Sequence, residues 1–267
     1  MIEFLTSPDA IVALLTLTFL EIVLGVDNII FISIASSKLP EEHQKKATNI
    51  GLFLAMLMRI ILLFGISYLV ALKAPFWNIN LPWIYGGISG QAVILFAGGL
   101  FLIYKSTHEI HEKVEEPEHD KDEVVSHRGA TLSKAIVQIM LINVVFSFDS
   151  ILTAIGMTNG LSDNPNNALV LMIIAVVISV IIMMAFAHPI GKFVNKNPSV
   201  QILGLSFLIL IGFMLIAEAA HLSHLTIFGS KVGVIPKGYL YFTITFSMFI
   251  EFLNMRMSKK KKKTALL

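Results

Sequence analysis

The chain has 267 residues, 55% hydrophobic and only 14% charged, with a formal net charge of +2 and a mean hydropathy of +0.78. Soluble domains carry about a quarter charged residues, so this composition excludes an ordinary soluble domain, and no nucleic-acid partner is expected. With no cysteine, a disulfide framework and any thiolate site are excluded as well.

The first nine residues hold Glu3 and Asp9 but no Lys or Arg, so the basic start of a removable signal peptide is missing and none is expected. Seven apolar runs follow, at about 10–36, 48–72, 84–105, 132–157, 167–190, 200–221 and 237–256. Each approaches or exceeds the roughly 20 residues that cross a hydrocarbon core as helix. The predicted fold is therefore an all-α membrane protein of seven transmembrane helices. Its expected parts are a first three-helix repeat over 1–105, a charged cytoplasmic loop over 106–131 and a second, inverted three-helix repeat over 132–224. A seventh helix over 225–257 and a basic cytoplasmic tail over 258–267 complete it.

Basic residues orient the chain. Sixteen fall in one alternating set of segments (Lys38, Lys45 and Lys46, then 105–134, then Lys192 and Lys196, then 256–263), and only Lys73, Lys231 and Lys237 in the other. The N-terminus is expected outside and the C-terminus in the cytoplasm, most simply of a bacterial plasma membrane. Among the loops, 106–128 holds four of the eight histidines and eight acids. His108, Glu109, His111 and Glu112 have the spacing to collect metal ions, although a solvated charged linker is the more common use of such a segment. The lysine run 259–263 reads as an anchor on anionic lipid.

The first run contains "LEIVLGVDNIIFISI" (20–34) and the fourth contains "NVVFSFDSILT" (143–153). Placed in register, Asp27 falls on Asp149, Asn28 on Ser150, Gly25 on Ser147 and Glu21 on Asn143. The two triplets of runs would cross in opposite directions, and inverted triplets around a midplane site are a transporter architecture. The third runs agree weakly and the second runs hardly at all.

Five acids lie inside predicted spans: Glu21, Asp27, Asp149, Glu218 and Glu251. Each ionised carboxylate at mid-span costs about 2.5–3.5 kcal/mol on insertion scales. Each must therefore be protonated, paired or bound to a cation. Away from the span ends, Arg59 is the only basic side chain placed to pair with them, a counter-ion for one. Five carboxylates against one guanidinium leave −4 if all ionise, so protonation linked to cation binding is expected. The donors are hard oxygens, suited to Mg, Ca or Mn. The candidate metal ligands are Asp27, Asp149, Glu21, Asn28, Ser150, Asn143 and Glu218, with Arg59, His221, Gly25 and Ser147 as supporting or gating residues. On an unbroken helix Glu21 and Asp27 stand about 120° apart. They share one ion only if the helix opens near Gly25, so helices 1 and 4 as discontinuous or continuous both remain open. Glu251 could pair with Arg256.

Taken together, "FLEIVLGVDNIIFISI", "FSFDSILTAIGM", "KSTHEIHE" (105–112) and "IPKGYLYFTITFSMFIEFLN" (235–254) resemble the TerC family of integral membrane proteins, named for tellurite resistance and similar to the lysine-exporter-like superfamily. The resemblance runs from the first span to the seventh. It implies a seven-span inverted-repeat fold and export of Mn(II), with the family's intramembrane acids falling on Glu21, Asp27, Asp149 and Glu218. Manganese comes from the resemblance alone.

The leading expectation is thus a secondary transporter exporting a divalent cation, coupled to protons. Its partners are the bilayer, the metal as substrate, protons, and secreted metalloenzymes or export machinery; there is no organic cofactor. The alternative is a membrane scaffold or metal-delivery factor for metalation or stress resistance that transports nothing itself. An intramembrane hydrolase running on paired Asp is the third class. No GxGD-like element accompanies either Asp, so the chain is not expected to be an enzyme. Nor does the sequence contain a Walker-type phosphate loop that would drive transport by its own ATP hydrolysis.

Overall fold

A computed structural model describes residues 2–37, 39–65, 72–115, 132–158, 160–162 and 164–264. After a short N-terminal turn α1 (Ile2–Leu5), the long helices are α2 (Pro8–Ser37), α3 (Glu41–Phe64), α4 (Gly90–Glu115), α5 (Leu132–Thr158), α6 (Pro165–Asn195), α7 (Pro198–Leu222) and α8 (Lys237–Thr264). Proline opens α6 and α7, where a missing N–H is tolerated, and Asn164 caps α6 by accepting from the Asn166 amide at 3.0 Å. Among the described residues α3 to α7 are long and apolar enough to cross a membrane. Apolar side chains also cover the outside: Leu15 and Phe19 on α2, and Phe242, Phe246 and Phe249 on α8, are exposed. A helix that is apolar all round is at home in lipid, not in water. The molecule is a predominantly helical integral membrane protein.

Close contacts set the helix directions. Gly25 meets Met183, and Ser33 meets Gly191, both at a separation of 158, so α2 and α6 run parallel. Gly51 meets Ile139 and Arg59 meets Ser147, both at 88, so α3 and α5 run parallel. α4 and α7 are antiparallel. Lys113 reaches Gln201 at one end, Gly99 faces Gly212 in the middle, and strands join the two connections at the other.

One expectation needs correction, and one alternative left open by the sequence is answered. First, the described residues are not all helical. β1 (Pro75–Leu81), β2 (Ile84–Ser89), β3 (Thr226–Ile227) and β4 (Ser230–Lys231) form an antiparallel sheet in that order. The β3–β4 turn uses Phe228 and Gly229, both with positive φ, the hairpin geometry that matches strand twist. The apolar run that opens at 84 is strand until Ser89, and its helix runs on to Glu115, so 106–115 is helix rather than loop. Residues 116–131 lie outside the described set. Second, α2 and α5 are unbroken helices through Gly25 and Ser147. Gly25 serves packing instead: a Cβ there would collide with the Met183 Sδ.

Candidate functional site

The two helices that carry the repeated motif, α2 and α5, are joined by one arginine from α3. Arg59 Nη1 contacts the Glu21 carboxylate of α2, and Arg59 Nε donates to Ser147 Oγ of α5 at 3.1 Å. Arg59 and Glu21 are 6% and 5% exposed, so the pair is buried. A buried pair of opposite charges satisfies each partner where neither would be tolerated alone. The sequence placed Arg59 as counter-ion to one of five acids; the structure selects Glu21.

On α5 the polar residues are satisfied along their own helix. Asn143 Nδ2 donates to Ile139 O at 2.9 Å, Ser147 Oγ to Asn143 O at 2.5 Å, and Ser150 Oγ to Ser147 O at 3.2 Å. Such back-bonding lets hydroxyls and amides sit in an apolar helix without orphaned donors, and all three side chains are buried. It leaves their oxygens available as acceptors. Beside Glu21 lies a void of about 10 Å³ whose other walls are apolar, Leu17, Leu63, Ile151 and Met172 among them; that is roughly room for one water.

Of the predicted residues, then, Glu21, Arg59, Ser147 and Asn143 belong to one buried network, with Ser150 one step along the same helix. Asp27 and Asn28 lie on α2 and Asp149 on α5, but their side chains are outside the described residues. Among the described residues no group of three or more His, Asp or Glu is placed to hold a metal ion. Glu218 is half-buried near the end of α7. His221, one turn on, is exposed and lines a separate cavity of about 200 Å³ with Lys73, Ser89, Gln91 and His224 beneath the sheet. Glu251 and Arg256 form no ion pair, being five residues apart on one helix and so on different faces.

The candidate metal-collecting residues of 106–112 are engaged at the end of α4. Glu109 is 1% exposed and bonded to Lys105 at 2.7 Å, while exposed His108 and His111 sit against Glu112 and Glu115 at 3.2 and 3.1 Å. One residue was missed by sequence reasoning. Lys237, which opens α8, donates to Thr153 Oγ1 at 3.2 Å, one helical turn from Asp149 on α5. Its signal was a lysine between Pro236 and Gly238 at the mouth of an apolar run.

Comparison with known proteins places this arrangement. Residues 6–266 match the model of the family described as "Integral membrane protein TerC family". The chain belongs to the TerC family. It is 45% identical to the UPF0053 inner membrane protein YgdQ of Escherichia coli over 96% of this chain and 97% of that one. It is 41% identical to a UPF0053 protein of Haemophilus influenzae over 98% and 100%. The UPF0053 inner membrane protein YoaE of Escherichia coli is 40% identical over 94% of this chain, which spans only 44% of YoaE. No solved structure matches. This TerC chain therefore sets a charged, buried contact between the two helices that carry its paired acidic motifs.

Proposed function

We propose that this TerC protein is a secondary transporter that exports a divalent cation, Mn(II), in exchange for protons, through a site between α2 and α5. Asp27 and Asp149 carry the ion, with Asn28 and Ser150 supplying neutral oxygens. The observation that carries the reading is the Arg59 bridge: a buried guanidinium tying Glu21 of one motif helix to Ser147 of the other. With Glu21 neutralised by Arg59, Asp27 and Asp149 are the two carboxylates left in the paired motifs, balancing one divalent ion or two protons. Glu21 would join the metal only if its pair with Arg59 opened. The hard-donor set suits Mn(II), and family membership supports that choice over Mg or Ca. The same reading assigns no enzymatic reaction and no organic cofactor.

The packing supports seven spans in two inverted triplets. Exchanging α2 with α5, α3 with α6 and α4 with α7 turns the parallel pair α2/α6 into the parallel pair α5/α3, and returns α4/α7 to itself. The exchange holds at residue level. Gly25 against Met183 becomes Ser147 against Arg59, and Gly99 with Ile216 becomes Gly212 with Ile103. Arg59 and Met183 are thus counterparts, one charged and one neutral, just as Glu21 and Asn143 are. We assign α2 and α8 as the remaining two spans, with the C-terminus in the cytoplasm by the distribution of lysines.

Efflux of radiolabelled Mn(II) from proteoliposomes tests the assignment. Asp27→Asn should abolish efflux while the protein still elutes as a folded species; undiminished efflux in that variant ends the site assignment. If the wild-type protein, folded and correctly inserted, moves no Mn(II), the scaffold or metal-delivery reading replaces transport.

A further inference from the structure

At the end of the bundle that carries most of the lysines, α2, α3, α6 and α7 enclose a polar cavity of about 610 Å³. Lys45, Lys192 and Lys196 stand around it with His188, and among the described residues no carboxylate lines it. The wall behind the lysines is built of polar side chains that are themselves buried: Ser33, Ser36, Thr48 and Gln201 are each 3–9% exposed. Two amides there are already committed through their oxygens. Asn195 Oδ1 accepts from Ser33 Oγ at 3.2 Å, sharing that one proton with Gly191 O at the same distance, and Gln201 Oε1 accepts from Lys113 Nζ at 2.5 Å. What each amide still offers the cavity is its NH₂, a donor. Ammonium groups and NH₂ donors around one hollow repel a cation and suit an anion, and the volume lies in the range of small-molecule sites.

We propose that this cavity binds a phosphate-type oxyanion. Lysine, a point charge with rotating donors, is a common phosphate binder, and among the described residues it is lysine that supplies the cavity's charge. The bland alternative, three solvated lysines obeying the positive-inside bias, does not explain why they converge on one hollow beside the amides of Asn195 and Gln201. This site stands independently of whether the chain moves a metal. The phosphate could arrive as a water-soluble anion or on the headgroup of an anionic lipid.

The test uses the full chain, purified and delipidated in detergent, and reads the thermal unfolding midpoint. Sodium pyrophosphate is titrated at constant ionic strength, and phosphatidylglycerol is compared with phosphatidylcholine in mixed micelles. Stabilisation by pyrophosphate identifies a soluble ligand, and stabilisation by phosphatidylglycerol alone identifies a lipid headgroup. In either case the triple variant Lys45→Gln/Lys192→Gln/Lys196→Gln should weaken the apparent affinity by roughly tenfold or more, while Lys46→Gln should not. If the triple variant fails to fold, Lys192→Gln and Lys196→Gln singly should each weaken it severalfold. The proposal is overturned if neither anion stabilises the wild type beyond its neutral or chloride control, or if the lysine variants bind as tightly as wild type.

Discussion

Arg59 and Glu21 show what a single residue pair can decide inside apolar packing. Breaking a buried pair leaves one charge stranded, a loss of about 3–5 kcal/mol, whereas replacing both partners by neutral groups of similar shape is close to neutral. Arg59→Met should therefore destabilise the protein strongly, and adding Glu21→Gln should recover much of that loss. Denaturant unfolding of the two single variants and the double variant, closed as a cycle, checks this; simple additivity would mean that the pair is not coupled. The choice of Met is itself informative, because Met183 fills the place on α6 against Gly25 that the proposed repeat makes equivalent. A composition count could show that Arg59 must neutralise one acid. It could not show which, because the partner lies 38 positions away on another helix.

At the scale of elements, glycines govern how closely helices approach, and they do so unequally. A Cβ on Gly99 would stand 2.6 Å from the Gly212 carbonyl oxygen, a backbone atom that cannot step aside. Gly99→Ala should push α4 and α7 apart and cost about 1–3 kcal/mol. At Gly25 the obstacle is the tip of Met183, an unbranched side chain that readily adopts another rotamer, and alanine gains helix propensity over glycine. Gly25→Ala should be near neutral in the same unfolding measurement. The helices themselves were legible from their apolar runs, but their ends were not. The segment 84–89 is as apolar as a helix start and yet pairs with 75–81 and 226–227. Strand pairing across a distance of about 140 residues in sequence leaves no local trace, and runs this short do not separate strand from helix by periodicity.

For the whole molecule, orientation is the property that charge distribution predicts and contacts between helices do not. Ser230 precedes α8 and Ser258 lies near its far end, so the helix proposed as the last span separates them. Because the native chain has no cysteine, Ser230→Cys and Ser258→Cys can each be labelled without background. A membrane-impermeant thiol reagent added to spheroplasts should modify the first and spare the second until the membrane is opened. Labelling of both from outside would remove α8 as a span and reverse the assigned sidedness of the tail.

Membrane residence, the number of long apolar segments and the pairing of two acidic motifs follow from the sequence by itself, because each depends only on the order and solvation of residues along the chain. The parallel packing of α2 with α6 and of α3 with α5, the choice of Glu21 as the acid that Arg59 neutralises, the unbroken course of α2 and α5 and the lysine-rimmed cavity were decided by tertiary structure alone. A carboxylate surrounded by hydrocarbon needs a partner wherever one can reach it in space, and a hollow takes its charge from whichever helix ends happen to meet.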